Sequence, residues 1–258
     1  MKEKVTLLFA FFLMASCFNP VMAQQNEDSL RHQVLLQTSV GDIVIELSNE
    51  TPLHRDNFIK LVEEKKYDGL LFFRVIKDFM IQTGDFTQKS SVVEEEKKAP
   101  TMKTGKSAPR KRGANINKVE PPKPYTIPAE ICFPKLFHKR GAIAAARESD
   151  EKNPEFRSSS SQFYIVYGWD LNEAQVEYYA QQLDSASNGK FKYTPEVFKA
   201  YASVGGSPYL DGAYTVFGEV VKGMDVVEKI QSTETDPANS PKEDIFIVKA
   251  SILHQKIL

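Results

Sequence analysis

The sequence predicts a mainly β protein, about eight antiparallel strands closed into a barrel. Two observations point there: apolar residues recur with period two along most of the chain beyond residue 33, the spacing of strands with one buried face, and helical stripes are few. Closure follows from the pairing problem, because an open sheet of that many strands leaves hydrogen-bonding edges free for other chains.

Taken in order, Lys2 and Lys4, the apolar run from Val5 to Phe18, and Val-Met-Ala before Gln24 read as an export signal over residues 1–23, cut near Ala23. About 14 apolar residues fall short of the about 20 that span a bilayer. The mature protein is then periplasmic or secreted. Met14-Ala15-Ser16-Cys17 loosely resembles a lipobox, so the alternative is a lipid anchor on Cys17. Cleavage at Ala23 leaves Cys132 as the remaining cysteine, and no intramolecular disulfide is expected.

Residues 34–38 and 42–47 flank Ser39-Val40-Gly41 as a hairpin. Thr51-Pro52 then supplies an N-cap and a proline at the first helical position, and Phe58, Leu61 and Val62 supply a stripe. A second hairpin, 72–76 with 79–84, turns about Lys77-Asp78. Residues 141–146, 162–167, 214–221 and 245–253 give further strands, and 224–231 a short helix. Two segments interrupt the pattern. Residues 86–124, basic and proline-rich without apolar periodicity, are expected to be a disordered insertion; the run between Lys106 and Arg112 (KSAPRKR) could touch anionic surfaces weakly. Residues 170–206 carry Val176, Tyr179, Ala180 and Leu183 at helical spacing and a second Thr-Pro start at Thr194-Pro195, and are expected to be a helical insertion capping the barrel.

A formal net charge of -1 gives no global attraction to nucleic acid or to an anionic membrane. The four histidines, His32, His54, His138 and His254, are scattered without metal-ligand spacing, so neither metal nor cofactor is expected. The run Ser158 to Ser161 has no assigned base and reads as loop polarity. What stands out is Arg74, one permanent cation in a run that otherwise reads as buried sheet, with the amide Gln82 on the facing strand.

Phe72-Phe73-Arg74-Val75-Ile76 with Phe79-Met80-Ile81-Gln82-Thr83-Gly84-Asp85, then Ser161-Gln162-Phe163-Tyr164-Ile165, then Leu210-Asp211-Gly212 with Val216-Phe217-Gly218, resemble the ordered signature of the cyclophilins over residues 34–254. That resemblance implies an eight-stranded barrel capped by two helices, and peptidyl-prolyl cis-trans isomerase activity on proline-containing polypeptides. It implies Arg74 as the catalytic donor, Phe79, Met80, Tyr164 and Leu210 as the seat of the proline ring, and Gln82 as the amide orienting the arginine. Gln162 shares a face with Tyr164, and Ala146 and Arg147 match the stretch that binds the substrate backbone. Tyr209 and Tyr214 line the same groove. A monomer is expected, and the alternative is a non-catalytic module or holdase for proline-containing segments.

Three positions depart from the family pattern: Phe73 and Tyr214 stand where histidine is usual, and Tyr209 replaces the tryptophan common in members that bind cyclosporin tightly, so weak cyclosporin binding is expected. With no histidine at an assigned position, kcat/KM is expected to stay nearly flat between about pH 6 and 8.5.

Overall fold

The computed structural model describes residues 32–90 and 125–253. The expected export signal, Cys17, His254 and the Lys106 to Arg112 run lie outside the described residues. Strands β1 (His32–Thr38) and β2 (Gly41–Leu47) pair from His32 opposite Leu47 to Thr38 opposite Gly41. Alternation turns Val34, Leu36, Ile43 and Ile45 into the main core, where none is solvent-accessible. Helix α1 (Pro52–Glu63) buries Phe58, Leu61 and Val62 against that core. Its expected cap differs. Thr51 makes no side-chain cap bond, and Glu130 instead accepts from the amides of Leu53 and His54 at 3.1 and 3.0 Å.

The chain continues through β3 (Arg74–Ile76), β4 (Met80–Thr83), β5 (Thr126–Ile127), β6 (Ala142–Ala145), β7 (Ser158–Ser159), β8 (Phe163–Val166), α2 (Glu173–Ala186), α3 (Pro195–Val204), β9 (Val216–Lys222), α4 (Met224–Gln231) and β10 (Ile247–Leu253). The main sheet has eight strands in the order β10-β1-β2-β9-β6-β8-β4-β3. It is an open, curled half-barrel and not the expected closed barrel, because no ladder joins β3 to β10. Strand β3 is three residues long, and its Val75 amide donates to the Asn239 carbonyl in the loop ahead of β10, at 2.8 Å. The seam is spanned by residues before β3: Phe72 N–H donates to Ile245 O at 2.8 Å, and Ile247 N–H to Leu70 O at 2.9 Å. Helix α1 packs against β9 and β10, and α4 against β2, β3 and β4.

The expected insertions are redrawn at their edges. Residues 86–90 belong to the fold, since the Gln88 carbonyl accepts from the Leu71 amide at 2.9 Å and Ser90 is fully buried. Helices α2 and α3 form where the periodicity put them, but they build their own small core. Val176, Val197 and Tyr201 pack there with Phe133 and Phe137 rather than capping the sheet. The insertion leaves and returns through a close crossing in which Trp169 and Gly206 exchange backbone hydrogen bonds of 3.0 and 2.9 Å. At Gly168 (φ +70°) a Cβ would lie 2.3 Å from the Gly206 backbone, so only glycine fits. The serine run is likewise not solvated polarity. Ser158, Ser160 and Ser161 are buried, and β7 pairs with β5.

Candidate active site

Strands β4, β6 and β8 are buried on both faces. Ile81, Ile143 and Ile165 point into the main core, while Met80, Ala144, Tyr164 and Val166 pack on the opposite face with Leu210 and Val216. That second face carries the site. Strand register sets Arg74 opposite Gln82, Gln82 opposite Tyr164, and Tyr164 opposite Ala144, one row across four strands. At the end of this row lies a recess of about 150 Å³ lined by Arg74, Phe79, Met80, Gln82, Ala146, Arg147, Tyr164, Leu210 and Tyr214, with no carboxylate among them.

The Arg74 guanidinium donates from Nη1 to Gln82 Oε1 at 3.1 Å, and Gln82 Nε2 donates to Gln162 Oε1 at 3.2 Å. Gln162 therefore does not line the recess but fixes the amide that holds the arginine. A guanidinium has five N–H donors. Among the described residues Arg74 has this single hydrogen-bond partner and no carboxylate, so donors remain for a guest. Arg147 is different. Its Nε donates to the Ala213 carbonyl at 2.8 Å, Nη1 pairs with Asp150 at 2.6 Å, and the group lies between the rings of Phe156 and Tyr214, 4.5 and 4.3 Å from their centroids. It is a wall. Tyr209 stands at the rim, 44% exposed and 5.7 Å from Phe79 between ring centroids; burial of its other half pushes its hydroxyl up to about 12.

The main chain of Ala146 is already committed: its amide donates to Gln162 O at 3.0 Å and its carbonyl accepts from Ser159 N at 2.8 Å. Any contact of this stretch with a guest backbone falls to Arg147, whose amide and carbonyl have no backbone partner among the described residues. Phe73 stays outside the recess, its carbonyl accepting from the Ser240 hydroxyl at 3.1 Å.

Three larger concavities among the described residues offer less chemistry. One of about 210 Å³ beside β2, β6 and β9 contains Lys135 and Lys139, each paired with a glutamate, Glu50 and Glu219. Another, about 570 Å³, is the cleft between α2 and α3, and the third, about 400 Å³, lies between α1 and the segment around β5. None of the three presents a guanidinium.

Sequence reasoning missed a histidine behind the recess. His138 is buried, its Nδ1 lies 2.8 Å from Asp211 Oδ1, and its Nε2 lies 3.1 Å from the Tyr164 hydroxyl. No histidine lines the recess, and His138 meets it only from behind, through Tyr164. Leu210-Asp211-Gly212 was the available signal, but nothing near residue 138 marks its partner. Burial holds the Tyr164 hydroxyl well above the usual phenol range, keeping it neutral.

An apolar recess beside one unspent guanidinium, on the outer row of a curled eight-stranded sheet, defines the cyclophilin-like class of half-barrels. The chain belongs to the cyclophilin type peptidyl-prolyl cis-trans isomerase family, whose model matches residues 33–252, and it is an isomerase of that type. A protein of Staphylococcus saprophyticus that carries the name of a peptidyl-prolyl cis-trans isomerase is 30% identical over 223 residues, covering 86% of this chain and 91% of the relative. The peptidyl-prolyl cis-trans isomerase-like 4 protein of Emericella nidulans is 30% identical over 85% of this chain and 37% of its own length. Among solved structures, a cyclophilin type isomerase of Cryptosporidium parvum shares the fold with a TM-score of 0.56 and 21% identity, covering 88% of this chain and all of that one. The same protein in the presence of the dipeptide Ala-Pro gives 0.54 and 23%, over 86% of this chain and 99% of that one.

Proposed function

We propose that the recess seats the ring of a proline and that Arg74 speeds rotation of the preceding peptide bond, in proteins folding after export. Rotation faces about 18–20 kcal/mol because the nitrogen lone pair is delocalised into the carbonyl. As the bond twists, that pair localises on nitrogen and becomes an acceptor. A donor aimed there binds the twisted state better than either planar one, and differential binding of that kind lowers a barrier. One charge-assisted hydrogen bond supplies about 1.5–3 kcal/mol, whereas a millionfold acceleration needs about 8. The remainder falls to the low dielectric of the recess and to a held substrate.

The observation that carries this reading is the division of labour between the two arginines: Arg147 has Nε and Nη1 bonded and both faces covered by rings, while Arg74 is steadied by Gln82 alone. The Ala-Pro dipeptide studied with the Cryptosporidium parvum protein supports a prolyl guest here. Export rests on the leader-like residues 1–23. In an isomerisation assay on a prolyl peptide, Arg74→Ala is expected to lose at least about a hundredfold in kcat/KM, the scale of losing one preorganised donor, while peptide binding survives. Unchanged turnover overturns the assignment. Mass spectrometry of exported protein is expected to find Gln24 at the N-terminus, whereas a lipid-modified Cys17 selects the anchored alternative.

A further inference from the structure

Asp211 is the most heavily committed carboxylate among the described residues. Its side chain is fully buried, and four donors converge on it: the His138 amide at 2.9 Å and His138 Nδ1 at 2.8 Å on Oδ1, and the hydroxyls of Tyr201 at 2.7 Å and Tyr193 at 3.1 Å on Oδ2. Both tyrosines come from the helical insertion, Tyr201 within α3 and Tyr193 just ahead of it. Burial, and then the Asp211 charge, raise both phenols, so both remain protonated donors. A carboxylate at Nδ1 requires a proton there. In the neutral ring Nε2 is then an acceptor, and the group 3.1 Å from it is the Tyr164 hydroxyl. The imidazole also lies nearly parallel to the Tyr164 ring, at 14°, and meets the Tyr214 ring edge-on at 86°. His138 thus backs two walls of the recess at once.

We propose that Asp211 and His138 are positioning residues for the prolyl seat, and that the insertion tunes this seat from behind through Tyr193 and Tyr201. The insertion lines none of the recess, so it acts through this hydrogen-bonded chain and not by covering the groove. A carboxylate with four donors cannot rotate without leaving several unsatisfied in a dry interior, which is what makes such a network rigid. The rigidity passes to the Tyr164 hydroxyl, so the seat is preformed before the guest arrives. The inference rests on the recess being the prolyl seat, and its test includes a readout that needs no substrate.

The test uses the full chain with Asp211→Asn, Tyr201→Phe, Tyr164→Phe, and the double variant Asp211→Asn/Tyr164→Phe. Long-range proton–nitrogen NMR, assigned with His138→Gln, is expected to show the Nδ1–H tautomer in the parent and its loss or mixing in Asp211→Asn. In isomerisation kinetics, Asp211→Asn is expected to raise KM about tenfold with kcat within about twofold, the signature of a seat no longer preformed. Tyr201→Phe should move KM the same way by about threefold, the scale of one lost hydrogen bond. The double variant should be no worse than the poorer single, because both substitutions break one chain.

A carboxylate that merely holds the fold lowers the melting temperature in Asp211→Asn and Tyr201→Phe while KM, kcat and tautomer stay as in the parent, and that result overturns the proposal. So do effects of Asp211→Asn and Tyr164→Phe that multiply in full. Should Asp211→Asn fail to fold, Tyr201→Phe, which removes a single oxygen, carries the same comparison. Turnover retained in Arg74→Ala strikes at the seat itself, while the tautomer result stands separately.

Discussion

Two guanidinium groups face one recess, and only their partners tell them apart. Type and spacing made Arg74 and Gln82 legible in the sequence, because facing strands of a tight hairpin must bring them level, as the register does. The spent state of Arg147 was not legible: it depends on the Ala213 carbonyl, 66 residues away, and on the rings of Phe156 and Tyr214. His138 was hidden for the same reason, its carboxylate lying 73 residues further on. A second buried histidine gives a prediction. His54 sits on α1 with Nδ1 2.6 Å from Glu130, and its Nε2 is buried without a hydrogen-bond partner. Burial outweighs the favourable Glu130 contact, so its pKa lies below the ordinary 6.5. The unfolded chain therefore binds the proton more readily than the folded one. The contribution of His54 is complete above about pH 6.5 and is lost as pH falls through the lower folded value. Melting temperature measured from pH 7.5 down to 5 should decline with a slope that flattens in His54→Gln; an unaltered slope assigns the loss to other groups.

At the scale of elements, one sequence signature had two outcomes. Thr-Pro opens both α1 and α3, since proline at the first helical turn gives up an amide that would have had no partner. At α3 the threonine also caps, its hydroxyl accepting from Val197 N at 3.4 Å. At α1 the Thr51 hydroxyl is buried without a partner, and the job passes to Glu130, whose two oxygens take two first-turn amides. The start of α1 was readable locally. Its cap was not, because no local pattern points to a residue 77 positions away. A carboxylate on a helix N-terminus adds the helix dipole to the hydrogen bonds, so Glu130→Ala should cost about 1–2 kcal/mol in denaturant unfolding. A change below about 0.3 kcal/mol would show that water replaces it. Strands β5 and β7 were missed for a related reason, as two residues are too few to display a period.

At the scale of the whole molecule, alternation marked the strands of the main sheet, and it could not fix how the sheet ends meet. A buried face constrains every interior strand to one register, as the unbroken run of seven paired positions from His32–Leu47 to Thr38–Gly41 shows. The two terminal strands answer instead to length. Strand β3 is too short to reach β10 in a ladder, so the curl is finished by isolated bonds around Leu71 and Phe246. The expectation of closure was right about the need to cover edges and wrong about the means. The difference has a dynamic consequence, because isolated bonds between loop segments can open without breaking a ladder, and segments with few mutual bonds exchange by local opening at free energies below the global one. Arg74 lies two residues beyond the seam amide Phe72, so opening there loosens the hairpin that carries the guanidinium while the β1–β2 ladder stays intact. Native-state hydrogen exchange should find the amides of Gly69, Phe72 and Ile247, which donate across the seam, exchanging at least about tenfold faster than those paired between β1 and β2. Equal protection at both places would mean that the seam opens only with the whole sheet, and that the molecule behaves as the closed barrel its pattern first suggested.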